Sequence, residues 1–244
     1  MAYKIYPILL GILRGAERSM FLYRTDCGVK MDAAYMVFLV QGNGLNILVD
    51  SGAPDPELAK TMPYPLLDEA KYLSDELAAR GLKGEDIDAV ILTHLHWDHC
   101  YNLKLFPNAK VYVQKKEVEH AAAPSDFDRK AYVAAPGCGV PGWFDAFDRI
   151  ERVDGDCEIF PGITGLFSPG HTPGEMSVLV ETGAGKYIIA GDAMPLYENI
   201  EQNIQNGITI DFDAGCRTYD RLRSFGAELI PGHDLKTAER KVFG

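Results

Sequence analysis

Four side chains that can bind a metal ion lie close together in the segment THLHWDH, at residues 93–99. The segment directly follows an apolar run that predicts a strand. Neutral imidazole nitrogens and carboxylate oxygens are ligands that zinc and related divalent ions prefer. A turn leaving a strand can direct His94 and His96 towards one ion, and leave Asp98 and His99 to face a second. The spacing therefore predicts a site for two metal ions.

Three further candidate ligands are isolated in the sequence, and each follows a predicted strand: His171, Asp192 and His233. A Pro-Gly dipeptide, which turns the chain sharply, precedes both of these histidines. A lone histidine of this kind is more often a surface or core residue than a ligand. Here, however, five of the chain's six histidines fit one pattern. We therefore predict that all three residues join the metal site, and we assign His120, inside a predicted helix, a structural role.

This ligand set is suited to hydrolysis. Seven protein ligands shared by two ions leave coordination positions open for water, unlike a closed structural zinc site. Two ions about 3.5–4 Å apart lower the pKa of a shared water towards about 7. Asp98 is the candidate proton shuttle, because a carboxylate beside that water can accept a proton and return it to the leaving group. Asp50 and Thr93 are expected either to orient a ligand or to act as ordinary turn caps.

The elements that must position these residues alternate between strands and helices, which favours an α/β fold. Apolar runs at residues 34–40 and 45–49 flank a Gly-Asn-Gly turn that is typical of a hairpin. Loops at strand ends are where sheet scaffolds usually carry functional side chains. Further strands are predicted at residues 1–15, 89–92, 110–113, 165–167, 176–181, 186–190 and 228–230.

Helical periodicity is clearest in the first half of the chain. Apolar residues at positions 66, 70, 73 and 77 predict a helix that ends near Arg80 and is capped by Gly81. A short helix is predicted from Asp98, another from Lys115, and a longer one at residues 214–225.

Length and composition restrict the class of protein. A chain of 244 residues, 47% hydrophobic and 24% charged, fits one large globular domain over residues 1–244. No apolar window reaches the roughly 20 residues that a membrane span needs. The net charge of −11 disfavours nucleic acid as a partner. Five widely spaced cysteines without a CxxC pair favour a reduced, cytoplasmic protein. We expect a small-molecule substrate and a monomer or homodimer.

Residues 124–147 combine loop and helix signals with several aromatic side chains. One interpretation is a surface insertion that packs its own small apolar cluster. The other is a lid, or an apolar pocket wall, over the metal site.

The complete ligand pattern resembles that of the metallo-β-lactamase superfamily, and the segment ILVDSG at residues 47–52 resembles the strand before the family's motif. The resemblance implies a four-layer αββα sandwich with the metal site at one edge of its two sheets. It also implies the distribution of ligands. His94, His96 and His171 would hold one ion, Asp98, His99 and His233 the other, and Asp192 would bridge them.

Missing features disfavour several branches of the superfamily. Flavodiiron-type proteins carry a glutamate at the position of His96 and add a flavin domain. Glyoxalase II-type thioesterases append a helical segment after the last ligand. RNA-processing members add basic arms, and the commonest secreted β-lactamases lack the full second-site set. The chain resembles most the N-acyl homoserine lactonases, which take part in quorum quenching. The resemblance rests on chain length, the long stretch before Asp50, the compact end after Gly232-His233-Asp234, and the Asp192-Ala193 pair followed by Glu198-Asn199.

This resemblance implies that a hydroxide bridging the two ions attacks a lactone carbonyl and opens the ring. Zinc is the expected metal, with iron, manganese or cobalt as alternatives. Pro195 replaces a tyrosine that polarises the lactone in that branch, so Tyr197 is expected either to donate a hydrogen bond to the substrate or only to pack. Residues 14–31 and 124–147 are candidates for an acyl-chain pocket. The alternatives are a metal-dependent esterase or thioesterase of other specificity, or a mononuclear iron dioxygenase.

Overall fold

Residues 2–244, which the computed structural model describes, form two β-sheets packed face to face with helices against both outer surfaces. The six-stranded sheet contains, in spatial order, β1 (Lys4–Glu17), β2 (Lys30–Gly42), β3 (Leu45–Val49), β4 (Ala89–Ile91), β5 (Lys110–Gln114) and β6 (Ile150–Val153). The five-stranded sheet contains β7 (Cys157–Phe160), β8 (Ile163–Phe167), β9 (Met176–Thr182), β10 (Gly185–Gly191) and β11 (Glu228–Pro231), with the spatial order β11-β10-β9-β8-β7. The predicted αββα sandwich is confirmed.

Both sheets are mixed. β1, β2 and β3 pair antiparallel, whereas β3 to β6 run parallel. In the second sheet β7 to β10 pair antiparallel and β11 runs parallel to β10. The predicted hairpin joins β2 to β3 through Asn43 and Gly44, whose φ angles of 51° and 81° match the two-residue turn that suits the twist of paired strands.

The main core lies between the sheets. Successive residues of a strand point to opposite faces, so Met36 and Phe38 of β2 enter the core between the sheets while Val37 and Leu39 face the outer helical layer. Because both faces are covered, β2 is apolar almost throughout its middle section. A continuous apolar run of this kind is typical of a strand buried on both faces.

Helices cover the two outer faces. In the helix at Leu73–Ala78, Leu73 and Leu77 pack against the six-stranded sheet, and Leu222 of the helix at Phe212–Ser224 packs against the other. None of the helices within residues 2–244 is long and apolar enough to cross a membrane. The helices are α1 (Pro56–Ala59), α2 (Leu73–Ala78), α3 (Lys115–Ala122), α4 (Tyr197–Gln202), α5 (Phe212–Ser224) and α6 (Leu235–Glu239), with 3-10 turns at Arg18–Met20, Gly84–Asp86, Leu103–Leu105 and Gly142–Arg149.

Two helix predictions were wrong. The helix expected from residue 66 begins only at Leu73, because the preceding backbone pairs with β1: Asp68 and Ile12 exchange hydrogen bonds of 2.8 and 2.9 Å. These contacts satisfy the backbone without a helix. No helix begins at Asp98, where the chain turns and the His99 N–H donates to the His96 carbonyl at 3.0 Å.

Residues 124–147 lie against the loop that carries the predicted ligands. The Trp97 N–H donates to the Ala131 carbonyl at 2.9 Å, and Tyr132 and Trp143 are buried. The other aromatic residues of the segment are exposed: Phe127, Phe144 and Phe147. The role of this segment as a lid or pocket wall stays a prediction.

Candidate metal centre

The seven predicted ligands lie together at one edge of the two sheets, because each follows the carboxyl end of a strand. The loop after β4 carries His94, His96, Asp98 and His99, whereas His171 follows β8, Asp192 follows β10 and His233 follows β11. The first four therefore come from the six-stranded sheet and the last three from the five-stranded sheet.

Within the described part of the chain, possible donor atoms form three groups whose members lie within 4.8 Å of one another. Each group contains residues from both sheets. The groups are His94 with His96 and His171, His94 with His99 and Asp192, and Asp98 with His99 and His233. Two of these groups correspond to the two ligand sets that the family resemblance implies.

Asp192 lies between the two sets. Its Oδ2 is 3.4 Å from His171 Nε2, whereas its Oδ1 is 2.9 Å from His233 Nε2 and 3.4 Å from His99 Nε2. The two oxygens of the Asp192 carboxylate therefore face different donor groups, an arrangement that would allow it to be shared by two ions.

Hydrogen bonds orient the histidine rings. In four of them Nδ1 lies close to an oxygen: His94 Nδ1 is 3.0 Å from Thr93 Oγ1, His99 Nδ1 2.8 Å from Asp50 Oδ2, His171 Nδ1 2.6 Å from the Ile208 carbonyl, and His233 Nδ1 2.7 Å from the Ala34 carbonyl. A ring that donates through Nδ1 keeps a lone pair on Nε2 for a metal ion. His96 differs, because its Nδ1 faces His171 Nε2 at 3.1 Å.

The residues present fit a pair of divalent ions. His94 Nε2 and His99 Nε2 are buried and have no hydrogen-bond partner within residues 2–244. Buried polar atoms are normally satisfied, so an unpaired nitrogen here needs an explanation. A metal ion supplies one, and a set of imidazoles and carboxylates is the donor chemistry that zinc accepts.

Burial and neighbouring charges set the protonation of the site. The pKa values of His94 and His96 are lowered well below the ordinary value, first by full burial and then by the other histidines. Both rings are therefore neutral at pH 7. Burial lowers the pKa of His99, but the nearby carboxylates of Asp98, Asp192 and Asp50 raise it by more. The net result is a pKa well above the ordinary value. The same carboxylates would attract a divalent cation.

Asp50 holds both ends of the loop that carries His94, His96, Asp98 and His99. Its buried carboxylate accepts hydrogen bonds from the Thr93 N–H at 2.7 Å, the Thr93 hydroxyl at 2.9 Å and His99 Nδ1 at 2.8 Å. Asp50 has a φ of 64°, a left-handed conformation that asparagine and aspartate tolerate better than most residues. Of the two roles that the sequence left open for Asp50, these contacts correspond to ligand orientation.

Two other predicted residues lie outside the donor groups. Tyr197 is half-buried at the start of α4, where its N–H donates to the Asp234 carboxylate at 3.0 Å. Of the two roles that the sequence left open for Tyr197, a hydrogen bond to the substrate or packing alone, this contact with the residue before α6 favours packing. His120 pairs with Asp128 at 3.2 Å and belongs to none of the donor groups formed within residues 2–244.

A different tyrosine lies at the site. Tyr35 of β2 is buried, and its ring centroid is 4.9 Å from that of His233 and 5.8 Å from that of Trp97. Its pKa is raised well above the ordinary value by burial and by the carboxylates of Asp98 and Asp192, so the hydroxyl stays protonated. It forms no hydrogen bond with the rest of residues 2–244. Sequence reasoning missed Tyr35, which looks like an ordinary aromatic residue of a buried strand.

An apolar groove of about 170 Å³ adjoins the ligand loop at Trp97. Residues 14–31 and 124–147, which were candidates for the substrate pocket, do not line this groove. The sequence offered no signal for it, because the lining residues come from separate parts of the chain: β1, residues 53–71 and the loop after β4. Its apolar wall includes Leu10, Ala53, Pro56, Ala59, Leu67 and Trp97.

Comparison with known proteins gives a consistent result. The family model described as the metallo-beta-lactamase superfamily matches residues 33–237. An N-acyl homoserine lactonase from Bacillus cereus is 29% identical over 213 residues, which cover 81% of this chain and 80% of that protein. The N-acyl homoserine lactonase AttM of Rhizobium radiobacter is 29% identical over 249 residues, covering 95% of this chain and 93% of the relative.

Solved structures agree in fold. The crystal structure of a B. thuringiensis AiiA variant with N-decanoyl-L-homoserine bound at its active site superposes with a TM-score of 0.80 at 25% sequence identity. The match covers 98% of this chain and 96% of that one. The two proteins therefore share a fold over nearly their whole length.

Proposed function

The chain belongs to the metallo-beta-lactamase superfamily, and from this premise we propose that it is a metal-dependent hydrolase that opens the lactone ring of N-acyl homoserine lactones or related lactones. The observation that carries the proposal is the convergence of imidazole and carboxylate donors around Asp192. The lactonase names of its relatives supply the substrate class. The corresponding role is quorum quenching by a cytoplasmic monomer or homodimer.

The proposed centre holds two divalent ions, with zinc as the first expectation. His94, His96 and His171 would hold one ion, Asp98, His99 and His233 the other, and Asp192 would be shared. When bound, the two ions supply an activated water and stabilise the negative charge that develops on the carbonyl oxygen.

Asp98 is the proposed proton carrier. It remains slightly exposed, with 11% of its side chain accessible, and its Oδ2 lies 3.5 Å from His99 Nε2. The water oxygen bonds to the carbonyl carbon, and the proton that it loses passes to the Asp98 carboxylate. As the ring C–O bond breaks, Asp98 returns this proton to the departing alkoxide. The product is the ring-opened hydroxy acid.

Tyr35 is the proposed hydrogen-bond donor to the substrate. Its hydroxyl is protonated and unpaired within the described residues, and its ring is held between His233 and Trp97. A phenol beside the reacting carbonyl can polarise it without accepting a proton. The apolar groove next to Trp97 is the proposed place for an acyl chain, since ligand pockets are mostly apolar with a few polar groups at the reacting end.

A pH-indicator screen of the metal-loaded protein tests this function. The panel contains acyl homoserine lactones, simple γ- and δ-lactones, aryl and thiol esters, and β-lactams. We expect ring opening of the lactones, loss of turnover and of bound metal in His96→Ala, and neither loss in His120→Ala. Failure to open any lactone would refute the substrate class, and hydrolysis of esters alone would replace it with an esterase. One bound iron per chain with consumption of oxygen would instead support a dioxygenase.

A further inference from the structure

We propose that Glu117 is a positioning residue. It holds the loop that carries His94 and His96 at the correct distance from the loop that carries His171, and these three histidines form the first ligand group. The proposal rests on the metal centre of the proposed function, but not on the identity of the substrate. Glu117 lies on α3, outside the ligand set, and its side chain is completely buried.

Both carboxylate oxygens of Glu117 are fully used. Oε1 accepts hydrogen bonds from the Leu95 N–H at 3.0 Å and the Tyr132 hydroxyl at 2.8 Å. Oε2 accepts from the Thr172 hydroxyl at 2.8 Å and the Gly174 N–H at 3.1 Å. Four donors from three segments therefore satisfy one buried charge, which would otherwise be costly to bury.

These donors are adjacent to the ligands. Leu95 lies between His94 and His96, and Thr172 directly follows His171. Oε1 of Glu117 therefore binds the backbone between His94 and His96, and Oε2 binds the side chain next to His171. His96 Nδ1 and His171 Nε2, which face each other at 3.1 Å, belong to the two loops that Glu117 joins.

Tyr132 extends this support into the segment at residues 124–147. Its ring meets that of His96 edge-on, with centroids 4.6 Å apart, while its hydroxyl is held by Glu117. Glu117 therefore fixes the position of a ring that packs against a ligand, in addition to fixing both loops.

The loop after β8 fits tightly against Glu117. A Cβ atom at Gly174 would lie 2.1 Å from the Glu117 backbone nitrogen and 2.5 Å from its Cα, so only glycine permits this approach. The short distance brings the Gly174 N–H within reach of Oε2. The glycine at position 174 and its close packing against α3 therefore both allow the hydrogen bond from the Gly174 N–H to Glu117.

Glu117→Gln tests the role with little change of volume. A glutamine has one acceptor oxygen, so in either orientation its amide group faces a backbone N–H, that of Leu95 or of Gly174. Apoprotein is titrated with zinc against a competing chelator to give two binding constants. His171→Ala and His233→Ala identify which constant belongs to which ligand group.

We expect Glu117→Gln to weaken the constant assigned to the His171 group about 10- to 100-fold, the range for partners that orient metal ligands. The constant assigned to the His233 group should stay within about threefold. Glu119→Gln, an exposed change on the same helix, is the matched control and should leave both constants unchanged. Thr172→Val removes one of the four donors and should cause a smaller loss in the same constant, which keeps the test available if Glu117→Gln fails to fold.

Two results would overturn the proposal: a lower melting temperature with both constants intact, or an equal loss at both groups. Either would make Glu117 a general stabiliser of the fold. Absence of lactone hydrolysis by the unaltered protein would refute the proposed substrate class without changing these zinc constants, so the two failures are distinguishable.

Discussion

Asp50→Asn should weaken metal binding at the His99 group without unfolding the protein. Asparagine is chosen because it has nearly the same size and tolerates the φ of 64° at this position, where alanine would add backbone strain. The carboxylate accepts from the Thr93 N–H, the Thr93 hydroxyl and His99 Nδ1. An asparagine amide group must face a donor on one side, whichever way it is turned.

The size of the effect follows from these contacts. A hydrogen bond to a charged group contributes about 1.5–3 kcal/mol, and about 1.4 kcal/mol corresponds to a tenfold change in a binding constant. Loss of the bond to His99 Nδ1 alone should therefore weaken zinc at this group about 10- to 100-fold. Turnover at subsaturating zinc should fall in parallel and recover in part when zinc is added.

Chelator competition measures the zinc constants, and circular dichroism checks the fold. Asp88→Asn is the matched control, because Asp88 also accepts a backbone N–H, that of Asn46 at 2.8 Å, but is exposed and outside the donor groups. Unchanged zinc affinity in Asp50→Asn, with a folded protein, would refute the argument that this carboxylate orients His99.

Three further predictions address the substrate and the fold. Tyr35→Phe should lower kcat/KM for lactones about 10- to 100-fold with metal content unchanged, because a donor to the developing oxyanion is lost; Tyr197→Phe, at the start of α4, should retain activity. Ala59→Phe should partly fill the apolar groove and lower kcat/KM for long acyl chains more than for short ones. In Glu175, burial and then Asp192 and Glu117 raise the pKa well above its ordinary value of 4.5, so the unfolded chain ionises first and stability falls as pH rises above that value. Glutamine carries no titrating proton, so Glu175→Gln removes this loss of stability. Urea unfolding should show that the free energy of unfolding of the variant, relative to the unaltered protein, increases from about pH 5 to pH 8.

Each of these has a contradicting result. Equal activity of the two tyrosine variants would exclude Tyr35 from contact with the substrate. Equal effects of Ala59→Phe on short and long chains would place the acyl group outside the groove. A stability difference for Glu175→Gln that does not change with pH would mean that this carboxyl does not keep its proton on folding.

Much of the candidate site could be predicted because its candidate ligands are marked locally. The HLHWDH segment is dense in donors, and Pro-Gly turns precede His171 and His233. Alternation of strands and helices predicted the α/β class, and the resemblance of the ligand pattern to a known family implied the sandwich. The candidate ligands could be chosen without knowledge of any long-range contact, because four of them are clustered within residues 94–99 and five of the chain's six histidines fit one pattern.

What the sequence did not reveal depends on contacts between distant segments. Tyr197 was chosen for its closeness in sequence to Asp192, yet it begins α4, where its N–H donates to Asp234. Tyr35 is far from every ligand along the chain and reaches His233 only because β2 lies beside that loop, where the Ala34 N–H donates to the His233 carbonyl at 2.9 Å. Leu66 continued a helical pattern, but the nearby backbone of Asp68 pairs with β1 instead of forming a helix. Leu66 itself is 61% exposed.

Each proposed ion takes ligands from both sheets, since the loop after β4 belongs to one sheet and His171, Asp192 and His233 belong to the other. Ions bound there would link the two sheets at the edge where the ligand loops meet. Cohesion of the two layers and retention of metal would then be linked, because an ion that binds only the folded state adds its binding free energy to that state. Removal of metal should therefore lower the free energy of unfolding, and separation of the two sheets should release metal.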